Sequence, residues 1–527
     1  MASPSHPLLF LFSALILSHI TFSLPTSQPS HGSGCDKSAA SFIPTDGFLS
    51  TLRSTLDEIQ RVVSIVSSFS GVLGDDLRMS SAVSDCLDLL DLSSDELSWS
   101  LSSSQATTTS FSGTGNRRSD LKSWLSAALS NQDTCKEGLD ATDSMLGSLI
   151  ATGLETVTSL VADSLSEVAV ATGSNGGKGG RRLVEGFPTW IKSKERKLLQ
   201  AAPQGIVADA VVAQDGTGNY KTINEAVNAV PDMSEKRYVI HIKKGVYKEN
   251  VEVKKKKWNV MLVGDGMGVT VISGDRNFID GWTTYRSATL AVVGKGFIAR
   301  DLTVENTAGP SKHQAVALRS DSDLSVFYRC SFEGYQDTLD AHALRQFYRD
   351  CKISGTVDFI FGDAAAVFQN CQLLARKPLP DQKNSVTAQG RKDPNQNTGF
   401  CFQFCNVSAD VDLASALATS SPNQTYTYLG RPWKEYSRTV IMQSYIGNVV
   451  RPEGWLEWNG NFGLDTLFYG EFMNFGPGSG LASRVKWPSY HAMNNTGQVA
   501  NFTVAQFIDG NLWLPSTGVK YTAGLTM

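Results

Sequence analysis

The sequence predicts a mainly β protein in which a parallel β-helix is preceded by an all-α four-helix bundle. Three observations support this fold class. Residues 36–170 are rich in Ser, Leu, Asp and Ala and carry apolar residues at helical spacing, whereas residues 201–527 alternate Val- and Ile-rich strands with Gly-containing turns. In the second region, a motif of aromatic, polar and Cys residues begins at Phe327, Phe347 and Phe368. Such a short repeat is typical of stacked solenoid coils.

Residues 1–24 are predicted to be a secretory signal peptide. An apolar stretch at 8–22 is followed by Pro25 and a spacer rich in Ser, Pro and Gly. The stretch is shorter than the roughly 20 apolar residues that a membrane-spanning helix needs. His6 is the only basic side chain before it, so a signal anchor stays open as the alternative.

The helical region is predicted to span 36–170. Apolar residues follow a spacing of three and four along 49–66, again from Trp124, and again along 145–165. Helices joined by short connections pack as an antiparallel bundle. Cys86 and Cys135 fall on two of these helices and are expected to pair in a secreted chain.

Residues 171–200 are predicted to be a flexible linker. A Gly-rich run at 173–180 is followed by two basic sites, Arg181-Arg182 and Arg196-Lys197. Basic residues exposed in a linker are accessible to proteases. We therefore expect cleavage at one of the two sites.

The stretch 314–358 carries the candidate active site. Stacked coils place residues one period apart at about one strand spacing, roughly 4.8 Å. Asp337 and Asp358 are one period apart, as are Gln314 and Gln336, so the four side chains are predicted to meet on one face of three successive coils. Two adjacent carboxyl groups do not both ionise easily, which leaves one as nucleophile or base and one as acid. The glutamine amides can donate to a developing oxyanion.

A single aspartate in a β-rich chain is more often a turn residue or a coil-end cap than a catalytic group. The shared register of the two acids with two amide donors favours catalysis.

These residues lie in motifs that resemble the plant pectin methylesterases. The match runs from about Ile206 to the C-terminus, and the contexts of Cys86 and Cys135 resemble the pectin methylesterase inhibitor domain that often precedes the esterase. The resemblance implies a right-handed parallel β-helix catalytic domain at 201–527 and an inhibitor-like domain at 36–170, in a protein of the cell wall or apoplast. The matching esterase stretches are 312–319, 335–339, 355–362, 386–391, 429–433 and 466–471.

The activity that the resemblance implies is hydrolysis of the C6 methyl esters of homogalacturonan, which converts pectin and water to pectate and methanol. Asp358 is expected to attack the ester carbonyl while the planar guanidinium of Arg431 orients it. Asp337 is expected to protonate the leaving methanol and then to activate the water that hydrolyses the acyl-enzyme. Gln314 and Gln336 are expected to stabilise the oxyanion. No cofactor and no metal are expected.

Four residues are expected to contact substrate on the basis of the resemblance. They are Thr284, Gln314, Arg431 and Trp433. Trp455 is a further candidate for stacking on a sugar ring, with packing in the core as the equal alternative for either tryptophan.

Two other function classes compete with the esterase. A pectate lyase uses the same architecture but needs a carboxylate cluster for Ca²⁺ and a basic residue that abstracts the C5 proton, whereas the central acids here are paired with glutamine donors. The other class is non-enzymatic: a wall-binding protein, or one whose helical domain inhibits other esterases. Neither needs the complete set of acids, amides and arginine.

Five of the eight cysteines lie in 201–527. Cys330 with Cys351, one coil apart, and Cys371 with Cys405 are the expected disulfides, which leaves Cys401 buried and inert. The Cys-x3-Cys spacing at 401–405 has no second pair with zinc spacing. Glycosylation is expected at the N-x-Ser/Thr sequons that begin at Asn406, Asn423, Asn494 and Asn501.

The two regions differ in charge. The first 200 residues carry 15 Lys and Arg against 21 Asp and Glu, whereas 201–527 carries 32 against 30. This difference suits pairing between the regions and a polyanionic substrate. The four lysines at 254–257 are more typical of a solvated strand end than of a binding patch. No nucleic-acid partner is expected, because basic residues are not interleaved with aromatic ones.

We expect a monomer with four kinds of partner. They are pectin, the chain's own inhibitor-like pro-region, free pectin methylesterase inhibitor proteins, and a subtilisin-like processing protease, which the resemblance places at Arg196-Lys197. The pro-region is expected to be autoinhibitory, with a folding module that has no inhibitory role as the alternative.

Three positions depart from the family pattern. Asp340 stands where the family usually has an aromatic residue, and Asp363 stands where it usually has Asn. An acid at 340 is expected to weaken stacking and to repel demethylated sugars. Cys35 has no neighbour with which to close the small N-terminal hairpin disulfide of the inhibitor domain.

Overall fold

The structure, a computed structural model, describes residues 42–69, 76–105, 113–142, 145–170, 207–419 and 425–526. The predicted signal peptide, Cys35, the linker at 171–200 with both basic sites, and Asn423 lie outside the described residues.

Four long helices form a bundle in which each helix contacts the next and the last returns to the first. Each buries an apolar face; the buried residues of the first include Phe48, Leu52, Ile59 and Val66. The fourth is apolar enough to cross a membrane by length and composition, and its buried residues lie in the core of the bundle. The helices are α1 (Asp46–Phe69), α2 (Leu77–Gln105), α3 (Arg117–Asp140) and α4 (Met145–Val170).

A disulfide between Cys86 on α2 and Cys135 on α3 ties the bundle together. Asn116 begins α3 by accepting a hydrogen bond from the backbone N–H of Ser119. The predicted bundle and its predicted disulfide are confirmed.

The remainder is a parallel β-helix, which confirms the predicted fold class. Its described strands, numbered along the chain, pair in parallel in three long sheets and one short pair. The eleven-stranded sheet contains β1 (Ala210–Val212), β2 (Tyr238–Ile242), β5 (Val260–Gly264), β8 (Ile298–Arg300), β11 (Ser325–Tyr328), β14 (Arg345–Arg349), β17 (Ala365–Gln369), β21 (Gly399–Gln403), β24 (Arg438–Met442), β26 (Phe468–Phe472) and β27 (Tyr490–Ala492).

The eight-stranded sheet contains β3 (Gly245–Lys248), β6 (Thr270–Gly274), β9 (Thr303–Asn306), β12 (Ser331–Glu333), β15 (Lys352–Gly355), β18 (Gln372–Ala375), β22 (Asn406–Ala409) and β25 (Tyr445–Ile446). The six-stranded sheet contains β4 (Val251–Val253), β7 (Leu290–Val292), β10 (Leu318–Ser320), β13 (Leu339–Asp340), β16 (Ile360–Gly362) and β20 (Thr387–Gln389). The short pair is β19 (Asn384–Ser385) with β23 (Thr427–Tyr428).

The repeated aromatic motif forms the core of successive coils. Phe327, Tyr348, Phe368 and Phe402 occupy equivalent positions in neighbouring strands. Their rings stack with centroids 4.8, 4.4 and 4.6 Å apart. The steps of 21 and 20 residues from Phe327 to Tyr348 and Phe368 are therefore each the length of one coil, whereas the coil from Phe368 to Phe402 is longer, at 34 residues.

The disulfides that were predicted for the β-helix are wrong. The expected pairs Cys330–Cys351 and Cys371–Cys405 are not formed, and all four are buried free thiols. They stand one above another in successive coils, so the thiol of Cys351 contacts those of both Cys330 and Cys371 and also donates to the carbonyl of Phe327 at 3.3 Å. A column of equivalent residues gives no cysteine a unique partner. Cys401 is buried and unpaired, as predicted.

Short helices cover the rest of the solenoid. A capping box between Thr222 and Glu225 begins α5 (Ile223–Asn228), which packs on the first coils. Apolar residues of the C-terminal helices, among them Trp513 and Leu514, pack on the outer side of the eleven-stranded sheet. The other short helices are α6 (Val411–Ala418), α7 (Thr496–Val499), α8 (Val504–Phe507) and α9 (Gly510–Thr517), with 3-10 turns at Tyr285–Ser287, Pro310–Lys312 and Ala500–Phe502.

Candidate active site

Asp337 and Asp358 occupy the same position in successive coils. Each lies in the segment that leads from the eight-stranded to the six-stranded sheet, and the pairing of Leu339 with Ile360 fixes their register. Both residues have left-handed backbone, with φ of 61° and 51°. Such conformations are uncommon away from glycine and persist where the surroundings enforce them, often at functional sites. The predicted pairing of the two carboxyl groups is thus built into the coil.

Arg431 holds Asp358 through two hydrogen bonds. Its Nε lies 2.8 Å from Oδ1 and its Nη2 lies 2.7 Å from Oδ2. The backbone of Arg431 donates to the carbonyl of Thr387 at 3.0 Å, which anchors it to a neighbouring coil. The indole of Trp458 lies 4.3 Å from the guanidinium carbon. This fork fixes the orientation of the Asp358 carboxylate.

The two acids have different surroundings. Burial, the charge of Asp358 and then that of Asp340 raise the pKa of Asp337 well above its ordinary value, and Arg431 opposes them only in part. The guanidinium hydrogen-bonds Asp358 and not Asp337. Asp337 is therefore the acid whose surroundings favour its protonated form, whereas Asp358 is the acid that the guanidinium orients.

The pair opens into a cavity of about 510 Å³. Among the described residues, the side-chain amides of Gln314 and Gln336 line this cavity without a hydrogen bond to protein. Their N–H groups are available to a bound molecule. The structure brings together all the predicted catalytic and substrate-contact residues on the wall of this cavity: Thr284, Gln314, Gln336, Asp337, Asp358, Arg431 and Trp433.

The second tryptophan that was considered for sugar stacking does not reach the cavity. Trp455 is buried, stacks on Tyr469 with centroids 4.2 Å apart, and donates to Glu471 at 3.2 Å. Trp458, three residues later, lines the cavity instead. Nothing in the spacing of the two tryptophans distinguished them, because the intervening turn decides which one faces out.

Sequence reasoning also missed His342. Its Nδ1 lies 2.5 Å from Asp321. Burial works against a charged His342, but Asp321 outweighs it and raises the histidine pKa. Asp340 lies beside this pair; burial raises its pKa to about 7, and its Oδ1 makes no hydrogen bond to the described residues.

The helical bundle forms the opposite wall of the cavity. The described residues of the bundle and of the β-helix belong to one compact unit. Arg78 and Asp85 on α2, with Thr134 and Glu137 on α3, line the same cavity as the catalytic pair. Phe361, Ala388 and Trp433 on the β-helix side of this cavity belong to an apolar cluster that also contains Ala288, Ala291 and Val316.

Helix α2 is held to the β-helix mainly by carboxylates. Asp85 accepts from Thr283 and from the Nε of Arg286, the latter at 2.7 Å, and Asp88 accepts from the Nη2 of Arg286 at 2.6 Å. Asp91 and Asp95 lie 2.6 and 2.9 Å from the Nζ of Lys255. The guanidinium of Arg78 donates to the carbonyl of Phe278.

Helix α3 contacts the β-helix at two places, one away from the catalytic pair, which we call the far edge, and one close to it, which we call the catalytic edge. At the far edge, Asp120 lies 2.6 Å from the buried guanidinium of Arg345, which also pairs with Asp323 at 2.7 Å. Trp124 donates to Asp323 at 3.4 Å and packs on Ala343 and Leu344.

Nearer the catalytic pair, α3 makes further polar contacts with the β-helix. Ser130 donates to Asp363 at 2.6 Å, and Thr134 lies 2.8 Å from the Nε2 of His342. Asp133 lies 2.7 Å from Lys434, which also contacts Glu137. Asp363, one of the departures from the family pattern, is thus a contact for the bundle.

Comparisons with known proteins agree with this arrangement. The sequence profile of the family described as Pectinesterase matches residues 209–511, and that of the plant invertase/pectin methylesterase inhibitor family matches 26–166. The pectinesterase/pectinesterase inhibitor PPE8B of Prunus persica is 63% identical over 90% of this chain and 89% of its own length. Pectinesterase 2.2 of Solanum lycopersicum is 50% identical over 89% of this chain and 82% of its own. The solved structure of the pectin methylesterase from carrot is 53% identical and covers 61% of this chain and 99% of its own, with a TM-score of 0.59.

Proposed function

The chain belongs to the pectinesterase family and removes methyl esters from pectin, and on that premise we propose that Asp358 and Asp337 perform the reaction while the helical bundle holds the enzyme inactive. The observation that supports the catalytic roles is the asymmetry of the pair: Arg431 forks onto Asp358 alone, and the pKa of Asp337 is raised well above its usual range.

In the first step, an oxygen of ionised Asp358 attacks the C6 carbonyl carbon of a methylated galacturonate. The carbonyl oxygen becomes an oxyanion, which accepts hydrogen bonds from the amides of Gln314 and Gln336. Arg431 keeps the attacking carboxylate in position. When the intermediate collapses, Asp337 gives its proton to the leaving methoxide, and methanol departs from an acyl-enzyme anhydride.

In the second step, Asp337 is ionised and acts as base. It takes a proton from a water that attacks the anhydride carbonyl, and the same amides accommodate the second oxyanion. Collapse releases the C6 carboxylic acid, restores ionised Asp358 and leaves Asp337 protonated; the released acid then loses the second proton of the water to solvent and becomes the carboxylate. The cycle uses only groups on the cavity wall.

Autoinhibition is supported by the position of α2 and α3. Their side chains form one wall of the catalytic cavity, so a polymer can reach the pair only if the bundle moves. The tethering linker gives the bundle a high effective concentration. We propose that cleavage at the basic sites, Arg196-Lys197 in particular, by a subtilisin-like protease releases it.

Secretion to the cell wall, a monomeric state and glycosylation complete the proposal. Asn406, Asn494 and Asn501 are exposed on the β-helix, where a glycan can be accommodated. Regulation by free pectin methylesterase inhibitor proteins fits the same face, which the chain's own inhibitor-like domain already occupies.

The test of the proposed activity uses the chain cut in its linker and separated from the bundle. Incubated with methylated pectin, it should release methanol in the presence of EDTA and form no unsaturated uronate. Unsaturated product that disappears with EDTA would instead identify a lyase, and absence of both products would leave a binding protein.

Removing one oxyanion donor should slow the chemical step. Gln336→Ala is expected to lower kcat by about 10²-fold or more, with a smaller change in KM, because the amide bonds the transition state more strongly than the ester. Gln314→Ala should behave alike. Gln443→Ala, at a corner of the eleven-stranded sheet, is the matched control and should change neither constant. An effect on KM alone would reassign the glutamines to substrate binding.

The pH profile should report the influence of Asp340 on Asp337. Because the charge of Asp340 helps to raise the pKa of Asp337, Asp340→Asn should lower that pKa. Asp337 donates only when protonated, so the high-pH limb of kcat should move to lower pH. Asp363→Asn, a buried acid that does not act on Asp337, is the control. A limb that stays in place or moves upward contradicts Asp337 as the donor.

A further inference from the structure

The acidic residues of α2 lie on one face of that helix and point to a second role for the residues they cover. Asp85, Asp88, Asp91 and Asp95 are spaced by three, three and four residues, so they follow one another along the helix with a rise of about 4.5–6 Å. All four bind basic side chains of the β-helix. On α3, Asp133 and Glu137 repeat the arrangement at a spacing of four.

The basic partners flank the catalytic pair along the axis of the β-helix. Arg286 and Lys255 belong to the coils of β7 and β4, on one side of the coils that carry Asp337 and Asp358. Lys392 follows β20, and Lys434 belongs to the coil beyond it, on the other side. From β7 to β20 is four strand spacings, about 19 Å.

In the described residues, every ion pair of these four cations goes to a carboxylate of the bundle. Arg286 pairs with Asp85 and Asp88, and Lys255 pairs with Asp91 and Asp95. Lys392 and Lys434 share Asp133, and Lys434 also takes Glu137. Departure of the bundle therefore leaves these four cations without an ion-pair partner among the described residues, in coils on either side of the catalytic ones.

The centre of the cleft has the opposite character. Asp337, Asp340 and Asp358 gather there, and Arg431 is already committed to Asp358. A neutral methyl ester is the better ligand beside the three catalytic-site aspartates, whereas anionic sugars are the better ligands beside the basic side chains in the coils on either side. A polymer with a carboxylate on each sugar supplies anions in series, as the acidic face of α2 does.

We propose that Lys255, Arg286, Lys392 and Lys434 form a binding track for demethylated homogalacturonan, and that the carboxylates of α2 and α3 occupy this track as a mimic of that polyanion. The inference rests on the proposed function, because it takes pectin as the substrate. It adds a second ligand, the anionic product polymer, and a competition between that polymer and the bundle for the same four side chains.

The test uses a chain with a protease site in the linker, cut and then separated. The β-helix has its own hydrophobic cores. The solved carrot enzyme matches 61% of this chain over 99% of its own length. We therefore expect the separated β-helix to be stable alone. Binding of demethylated oligogalacturonide and of its fully methylated counterpart is measured by tryptophan fluorescence at low and high salt.

The separated enzyme should bind the demethylated oligosaccharide more tightly than the methylated one, and its affinity for the demethylated oligosaccharide should fall as the salt concentration rises. The variant Arg286→Gln/Lys434→Gln should weaken that binding by about tenfold, since each pair of exposed charges contributes about twofold to fivefold. Lys248→Gln/Lys352→Gln removes equal charge from the eight-stranded sheet and should leave binding unchanged. Equal losses in both variants, or no loss in the first, would overturn the track.

Competition supplies a second readout. Demethylated polymer should displace the bundle from the cut but unseparated complex, and methylated polymer at the same concentration should not. Displacement by both or by neither contradicts the mimicry. Binding and displacement are measured with the Asp358→Asn variant, so that the methylated polymer is not converted during the assay, and methanol release is followed separately with the unsubstituted enzyme: its absence would overturn the proposed function, whereas methanol release without charge-dependent binding would overturn this inference alone.

Discussion

Asp358→Asn should abolish methanol release while leaving the β-helix folded. The amide keeps the shape of the carboxylate but cannot attack the ester, and loss of one member of a cooperating catalytic unit costs about 10⁴-fold or more in rate. Asp358→Ala should be equally inactive. The measurement is kcat on methylated pectin with the separated catalytic part, accompanied by thermal unfolding.

A matched control separates chemistry from strain. Asp350 also has a left-handed backbone, with φ of 56° against 51° for Asp358, but lies at a coil corner where it accepts from Asn370. Asp350→Asn should keep full activity. If Asp358→Asn retained a tenth of the wild-type rate, Asp358 would not be the nucleophile, and Asp337 would have to be tested in that role.

The uncut chain should release methanol at least about 100-fold more slowly than the cut chain. A contact of about micromolar intrinsic affinity, held at the roughly millimolar effective concentration of a tethered domain, leaves only about one molecule in 10³ open. Changing Arg181, Arg182, Arg196 and Lys197 to alanine should trap the secreted protein in this state. Full activity from that uncut chain would remove autoinhibition and leave the bundle a role in folding or trafficking.

Charge reversal should open the uncut chain without cleavage. Asp133→Lys/Glu137→Lys places two cations against Lys392 and Lys434 and replaces attraction by repulsion at the catalytic edge. Activity of the uncut double variant should rise towards that of the cut enzyme. Glu155→Lys/Asp163→Lys makes the same charge change on exposed positions of α4 and should leave the chain inactive.

The sequence predicted the structure correctly where a repeat in the sequence fixes the distance between residues in space. Steps of 20 or 21 residues placed Asp337 beside Asp358 because each coil repeats the backbone of the last, and helical spacing placed the buried faces of the bundle. A period does not determine which way a side chain turns when several equivalent neighbours compete. For that reason the cysteine pairs were wrong. The period also does not describe the turn between Trp455 and Trp458, which decides which of them lines the cavity.

The position in which the bundle docks on the β-helix could not be predicted from the sequence. Opposite net charge in the two regions predicted attraction but not register. The contacts that set the register join residues about 200 positions apart, such as Trp124 with Asp323 and Ser130 with Asp363. Short polar side chains on a helix are common, so no local pattern marks them as partners of a distant sheet.

Arg345, which pairs with an aspartate of the bundle and with one of the β-helix, determines which buried charges would lack a partner if the bundle separated from the β-helix. Arg345 is buried between Asp120 of the bundle and Asp323 of the preceding coil of the β-helix, and Asp120 is also bonded within the bundle by Thr114. When the bundle departs, neither half retains an orphaned internal charge, which would be strongly destabilising. We therefore expect that the joint can open and close again without an unpaired buried charge on either surface, and that a released pro-region would stay folded.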